Sequence, residues 1–280
     1  MRNLKTNLKT KASMLAIASA SILATGAHAE VIAVSIENTM GGDSFFFTPF
    51  WISASNGGFD SYNTGEAAAN FPGITQLAET GSTAPLSDAF AASAAGVAGG
   101  VQATVTASAF DGDAPVFSPG ESTTLNLDVG NASVNRYFSF ASMVIPSNDL
   151  FVGNDDPFTY ELFNAAGNFN GPLVIEIYGR DVNDNGTEIN SAGNDAAFST
   201  NDGQSLPEFM VIRDFFSYDA DGDYLDSFIG STTANGATIG SSFGADDLIA
   251  RITITQVPAP SSAIALLGGG LLIGRRRRAN

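Results

Sequence analysis

Short apolar runs separated by turn residues recur along most of the chain. Several alternate between apolar and polar positions, as at Leu125, Leu127 and Val129, and this period of two is typical of a half-buried β-strand. Gly, Asn, Asp and Pro cluster between the runs, as in 56–58 and 118–120. The pattern predicts strands over Val31–Ile36, Phe45–Ile52, Gln102–Phe110, Thr123–Val129, Tyr137–Ile145, Leu173–Tyr178, Phe209–Phe216 and Leu248–Thr255.

Helical patterns are few. One helix is predicted over Pro85–Ala95, with Ser87 or Asp88 as its cap, and a turn or two over Ile74–Glu79. Many short strands with few helices predict an all-β fold, an antiparallel β-sandwich with long loops. The polar stretch Asp181–Gln204 is too long for a simple hairpin loop, and loops of that length are usually functional or disordered.

Charge separates the two ends of the chain from its middle. Eight of the 12 Lys and Arg residues lie in 2–11 and 275–278, whereas 30–274 carries four Arg against all 29 Asp and Glu, so 4 − 29 gives −25. This charge argues against nucleic acid and anionic lipid surfaces as partners, and it favours divalent cations.

The N-terminal end has the pattern of a secretory signal. A basic stretch up to Lys11 precedes the apolar run Met14–Ala24 and the small-residue motif 27–29. We expect cleavage there, so that the mature chain begins at Glu30. The alternative is a buried N-terminal helix of the fold.

The C-terminal end combines Val257-Pro258-Ala259-Pro260, an apolar run over 262–273 and four arginines at 275–278. The run is shorter than the ~20 residues that span a bilayer, and the arginines favour the cytoplasmic side. This arrangement resembles the PEP-CTERM sorting signal of Gram-negative bacteria, although Ala259 stands where the motif usually has Glu. The resemblance implies an exosortase-type processing enzyme, transient membrane contact through the tail, and export to the cell surface, outer membrane or extracellular matrix. A simple membrane anchor is the alternative.

These signals divide the chain into a signal peptide (1–29), a β-sandwich domain (30–256) and a sorting tail (257–280). The domain contains no Cys and no His, which excludes disulfides, Ser-His-Asp triads, cysteine nucleophiles and His-ligated zinc. A carboxylate pair, as in glycoside hydrolases, is the remaining route to catalysis. We therefore predict that the protein is not an enzyme.

Several motifs resemble the spondin N-terminal domain family in their order and spacing. Thr48-Pro49 is followed by Phe59, Gly65 and Leu77-Ala78-Glu79-Thr80-Gly81. The later segments Ser142-Met143-Val144-Ile145-Pro146-Ser147-Asn148-Asp149 and Asp184-Asn185-Gly186-Thr187-Glu188 continue the match, which covers roughly 34–255. The resemblance implies a C2-like β-sandwich with a calcium site at one end.

Calcium prefers about six to eight oxygen ligands, and carboxylates from separate loops supply them well. The residues that would hold calcium under this resemblance are Asp149 at a strand end, Asp184 and Glu188 from the long loop, and Asp181 and Asn190 as neighbours. On composition alone they could equally be solvated loop acids. The segment 181–186 also matches the start of an EF-hand loop, but Ala192 occupies the position of the required Glu.

Two further features invite a functional interpretation. Asp219, Asp221 and Asp223 form a second acidic cluster, for which a plain turn is favoured because Tyr224 stands where an EF-hand requires Gly. Trp51, the only tryptophan, could stack on sugars, but core packing beside Thr48-Pro49 is favoured.

Together these features predict an exported adhesive or structural protein that binds extracellular polysaccharide in a matrix or biofilm. A carbohydrate-binding module without a structural role is the first alternative, and a carboxylate-dependent glycoside hydrolase is the second.

Overall fold

A computed structural model describes residues 30–107, 115–201 and 203–258. The predicted signal peptide, the tail after residue 258 and the last three residues of the strand predicted over Gln102–Phe110 lie outside the described residues. The strands are β1 (Val31–Asn38), β2 (Phe46–Phe47), β3 (Phe50–Ser55), β4 (Val101–Val105), β5 (Ser122–Asp128), β6 (Tyr137–Ile145), β7 (Leu150–Gly153), β8 (Tyr160–Glu161), β9 (Leu173–Tyr178), β10 (Val182–Asp184), β11 (Arg213–Asp214) and β12 (Leu248–Gln256).

The smaller sheet has four strands in the order β5-β1-β12-β9, and all its pairings are antiparallel. Successive residues of a strand point to opposite faces. In β1, Ile32, Val34 and Ile36 are fully buried, while the residues between them are partly exposed. One face of this sheet therefore packs on the core, and the other carries ion pairs from Arg251 to Glu37 and Glu176.

The larger sheet has the order β11-β10-β7-β6-β3-β4, with β2 and β8 also paired to β6. All of β3 and all of β6 after Tyr137 are buried, without alternation. A strand buried at every position is covered on both faces. Helix α1 (Pro72–Thr80) packs on β6 and β7, and Phe90 of α2 (Ala84–Ala92) meets Trp51 of β3. The helices thus cover a sheet that would otherwise expose apolar residues.

The antiparallel two-sheet, all-β architecture with few short helices is confirmed. The bounds predicted for β6 and β9 agree with the structure residue for residue. The helix predicted over Pro85–Ala95 is two helices, α2 and α3 (Ala94–Val97), and Ser93 caps the second. The predicted caps Ser87 and Asp88 were wrong, because α2 begins at Ala84, where the following Pro85 suits its first turn.

The strand predicted over Phe209–Phe216 was wrong for most of its length. Only Arg213 and Asp214 form a strand, and a 3-10 turn follows over Phe215–Ser217. The preceding residues pair irregularly with the loop after β10, since the Met210 amide donates to the Gly186 carbonyl. Phe209 is 92% exposed. Its apolar side chain therefore does not belong to the buried face of a strand.

One pairing in the larger sheet positions the candidate site. β10 lies antiparallel to β7, with Asp184 opposite Leu150. Asp149 immediately precedes β7, and the Asn185 amide donates to its carbonyl at 3.2 Å. The register therefore brings Asp149 and Asp184 to the same end of the sheet.

Candidate metal centre

Asp149 and Asp184 form a buried acidic pair. Both residues have 0% of their surface exposed. Burying a carboxylate is unfavourable unless hydrogen bonds or a counter-charge compensate. The contacts of each carboxylate therefore show whether its burial is compensated.

One oxygen of the Asp149 carboxylate is well supported and the other is not. Oδ2 accepts hydrogen bonds from the Thr187 amide at 2.8 Å, the Thr187 hydroxyl at 3.1 Å and the Glu188 amide at 3.1 Å. Oδ1 is buried and has no hydrogen-bond partner among the described residues. The loop after β10 thus fixes the orientation of this carboxylate and leaves one oxygen available to a cation.

The Asp184 carboxylate has more partners. Its Oδ1 accepts the Gly186 amide at 2.6 Å, in a turn where Gly186 has φ +69°. Its Oδ2 lies 3.3 Å from Nη2 of Arg213 and accepts hydrogen bonds from the Asn190 side chain and the Tyr218 hydroxyl. Arg213 supplies the only cationic side chain described in contact with this pair.

Two amide oxygens in this region are also without partners among the described residues. Asn185 is fully buried and its Nδ2 donates to the Thr187 hydroxyl at 2.9 Å, but its Oδ1 accepts nothing. Asn190 donates to Asp184 through Nδ2, and its Oδ1 is likewise buried and unpartnered. Buried polar atoms rarely remain unsatisfied, and these two oxygens, like Oδ1 of Asp149, are of the kind that calcium prefers as ligands. Nε of Arg213 is a fourth buried atom of this region without a partner among the described residues.

The pKa values of the groups around the pair also favour a bound cation. Burial and the neighbouring charge of Asp184 raise the pKa of Asp149 to about 8, despite the opposing hydrogen bonds from Thr187 and Glu188. Burial, followed by the Asp184 charge, also raises the pKa of Tyr218. Burial raises the pKa of Tyr224, whose hydroxyl bonds Oδ1 of the adjacent Asn148 at 2.7 Å. Negative charge on Asp149 is therefore disfavoured in the apo protein, and a divalent cation would offset that.

Two of the five predicted ligands direct their side chains elsewhere. The Glu188 carboxylate accepts the Ser205 hydroxyl, and only its backbone amide reaches Asp149. Asp181 is exposed and accepts the Tyr178 amide at 2.8 Å, in the 3-10 turn before β10. The described residues contain no group of three or more His, Cys, Asp or Glu placed to hold a metal. A ligand set here would consist of two carboxylates with amide and backbone oxygens.

Sequence reasoning missed Asn185, Thr187, Arg213 and Tyr218. Asn185 and Thr187 belong to the Asp-Asn-Gly-Thr motif of the loop, but the motif does not indicate what their side chains contact. Arg213 and Tyr218 come from a segment about thirty residues away, where the guanidinium lies 3.9 Å from the centre of the Tyr218 ring. Only the tertiary pairing of β10 with β11 brings them to Asp184.

The other two sequence candidates have structural roles. The Asp219 carboxylate accepts the amides of Asp223 and Tyr224 at 3.2 and 3.1 Å, at the start of α4 (Asp223–Asp226). The acidic cluster is therefore a plain turn, as predicted, in which Asp219 binds backbone amides. Trp51 is fully buried and its Nε1 donates to Gln102 Oε1 at 2.7 Å, which confirms core packing.

Comparison with family models and with curated proteins finds no match to this chain. Within the described ranges, no helix is long and apolar enough to cross a membrane. The resemblances to spondin domains and to PEP-CTERM tails stay predictions from the sequence.

Proposed function

We propose that this protein is an exported, calcium-stabilised β-sandwich that contributes adhesive or structural surface to an extracellular polysaccharide matrix. The single observation that carries the calcium component is the unpartnered Oδ1 of Asp149, fully buried beside a second carboxylate. A bound cation would give that oxygen a partner and stabilise the ionised form of Asp149 beside Asp184.

The residues that would hold calcium are Asp149, Asp184, Asn185 and Asn190. Bound calcium would supply positive charge and fix the loop after β10 to the start of β7. Calcium is favoured over magnesium because it accepts more oxygen ligands in a more flexible geometry. Magnesium requires near-ideal octahedral geometry and loses its bound waters reluctantly. The role we propose is structural, because the cation would hold the loop after β10 against the residue that precedes β7.

The extracellular part of the proposal rests on the sequence. The two terminal segments resemble export and sorting signals, and the region between them has a charge of −25 from four Arg and 29 acids. Such a charge keeps copies apart and soluble and attracts divalent cations. An exosortase-type enzyme would process the tail after transient membrane contact, and the mature protein would act at the surface or in the matrix of a Gram-negative bacterium.

Neither sugar binding at Trp51 nor hydrolysis by the Asp149–Asp184 pair gains support from the structure. Trp51 is enclosed in the core, so it offers no platform for sugar stacking. A hydrolase would need two carboxyls facing each other across a cleft open to substrate, and Asp149 and Asp184 are closed to solvent.

The first prediction concerns processing. We expect the form recovered from the native host to begin at Glu30 and to lose its tail near Val257–Ser262, because both ends carry export-type patterns. Intact mass spectrometry of the extracellular fraction measures both cuts. Extracellular protein that still carries Arg275–Arg278 would contradict the sorting proposal.

The second prediction concerns pH. The pKa of Asp149 is raised in the folded protein, so without calcium its carboxyl stays protonated at pH values where the unfolded chain has lost that proton. The resulting stability is fully present below the ordinary carboxyl pKa of about 4 and is lost as pH rises through about 8. Calcium must displace this proton, so its apparent affinity should rise up to about tenfold per pH unit until the pKa is reached.

Calorimetric titration with calcium at pH 6, 7 and 8 measures this dependence, and buffers with different ionisation enthalpies count the protons released. The titratable groups facing Asp149 are Asp184 and Tyr224, and Asp184 in turn contacts Tyr218 and Arg213. Asp149→Asn is the matched control and should release no proton. Equal calcium affinities at the lowest and highest pH would show that Asp149 is not protonated in the apo protein.

A further inference from the structure

A polar pocket of about 710 Å³ opens beside the candidate metal centre. One wall comes from the loop after β10, and the opposite wall comes from the segment that leads into α4. The side chains that matter for binding are Asn190, Ser191, Asn201, Tyr218, Asp223 and Ser227. The pocket is far larger than a bare ion needs, and its volume is within the range of small-molecule sites.

The lining suits a ligand that both donates and accepts hydrogen bonds. Side-chain amides and hydroxyls can do both. Asp223 is exposed, and its carboxylate makes no hydrogen bond within the described part of the chain, in contrast to Asp219, which caps α4. A free carboxylate beside amides and hydroxyls is complementary to adjacent hydroxyl groups of a polyol.

Tyr218 adds an aromatic surface. It is 46% exposed, its ring carries the Arg213 guanidinium at 3.9 Å, and its hydroxyl is held by Asp184. An aromatic ring of fixed orientation that remains partly accessible is suited to contact the apolar C–H face of a sugar. Charge selects the type of sugar, because Asp219 and Asp223 disfavour an anionic ligand and leave a neutral one unaffected.

We propose that this pocket binds a neutral saccharide unit of an extracellular polymer. The inference rests on the proposed matrix function for its ligand class, and it places that recognition at a defined site whose lining does not include Trp51. Asn190 and Tyr218 line the pocket and also hydrogen-bond Asp184. The pocket and the candidate metal centre therefore share two side chains.

The test uses the full-length protein and ligand-observed NMR. The probes are D-glucose, D-galactose, D-mannose and a neutral dextran, with D-glucuronate as the anionic comparison, each in chelator and in millimolar calcium. We expect at least one neutral probe to bind, whether in both conditions or only with calcium, and to bind more tightly than glucuronate. Equal or tighter binding of glucuronate would overturn the charge argument.

Two substitutions of equal charge locate the site. Asp223→Ala should weaken neutral-sugar binding by about tenfold or more, because it removes a charge-assisted hydrogen bond. Asp221→Ala removes the same charge from an exposed residue two positions away that does not line the pocket, and it should leave the affinity unchanged. Ser227→Trp, which fills the pocket from the residue that follows α4, provides a second variant if Asp223→Ala fails to fold, and it should abolish neutral-sugar binding.

Failure of this proposal is distinguishable from failure of the calcium proposal. Thermal melting of the same samples reports calcium independently of sugar. If calcium stabilises the protein but no neutral probe binds, the pocket proposal is wrong and the calcium site stands. If sugar binds with the expected variant pattern while calcium has no effect, the pocket stands alone.

Discussion

Calcium at about one hundred times its Kd is expected to raise the melting temperature of the wild-type protein by roughly 5–10 °C. A ligand that binds only the native state at this concentration stabilises it by about 2.7 kcal/mol. In this proposal the affinity arises from Asp149 and Asp184, which are fully buried. Because burial and the Asp184 charge raise the pKa of Asp149 to about 8, the measurement is made above that pH, where both carboxylates are charged and repel each other in the apo protein. Magnesium should reproduce little of the shift, since it requires tighter octahedral geometry.

Asp149→Asn is the most informative variant. The amide keeps the size of the carboxyl, and its oxygen can still accept the hydrogen bonds from Thr187 and Glu188. Above about pH 8 the substitution removes one buried negative charge, so at that pH the apo variant should melt at or above the temperature of apo wild type. It should also lose most of the calcium response.

Asp184→Asn is a less clean test of the same idea. The Asp184 carboxylate contacts Arg213 and accepts hydrogen bonds from Tyr218 and Asn190. Its substitution therefore also removes the ion pair with Arg213, whose remaining carboxylate partner is Glu208. Asp88→Asn is a suitable control, because Asp88 is an exposed residue of α2 without a described side-chain bond. The calcium site would be ruled out if wild type melted identically in chelator and in calcium.

The sequence predicted the sheet framework because its strands have strong local signals. β6 and β9 were recognised with correct bounds, since each is an apolar or alternating run between turn residues. β7, β8 and β10 were missed, because strands of two to four residues have too few positions to show a period. Their existence depends on pairing with neighbouring strands rather than on local pattern.

The candidate site could be predicted only in part, for the same reason. Asp149 and Asp184 come together through the pairing of β10 with β7, and Asn190 reaches Asp184 because the loop after β10 turns back on itself. Glu188 and Asp181 also carry carboxylates and lie close to Asp184 in sequence, but their side chains point to Ser205 and to the Tyr178 amide. Side-chain direction within an irregular loop depends on individual backbone hydrogen bonds, which composition and spacing do not reveal.

Trp51→Ala is expected to lower the free energy of unfolding by about 3–5 kcal/mol, which is typical for removal of a large aromatic side chain from a core. Trp51 is fully buried in β3 and meets the rings of Phe59 and Phe90 edge to face at 5.9 and 5.6 Å. Its indole N–H bonds Gln102, whose own amide donates to the Ser87 carbonyl at 2.9 Å. One side chain therefore links β3, β4 and α2, and its loss creates a cavity and leaves Gln102 without its donor.

Urea denaturation followed by far-ultraviolet circular dichroism measures this loss in the absence of the only tryptophan. Trp51→Phe should be milder, because it retains most of the ring contacts while still removing the donor to Gln102. Phe209→Ala is the control for deleting an aromatic side chain, and it should change stability by no more than about 0.5 kcal/mol, because Phe209 is 92% exposed. Equal destabilisation by Trp51→Ala and Phe209→Ala would contradict a core role for Trp51. A large loss from Trp51→Ala alone would mean that any accompanying loss of glycan binding reflects unfolding rather than a missing stacking surface.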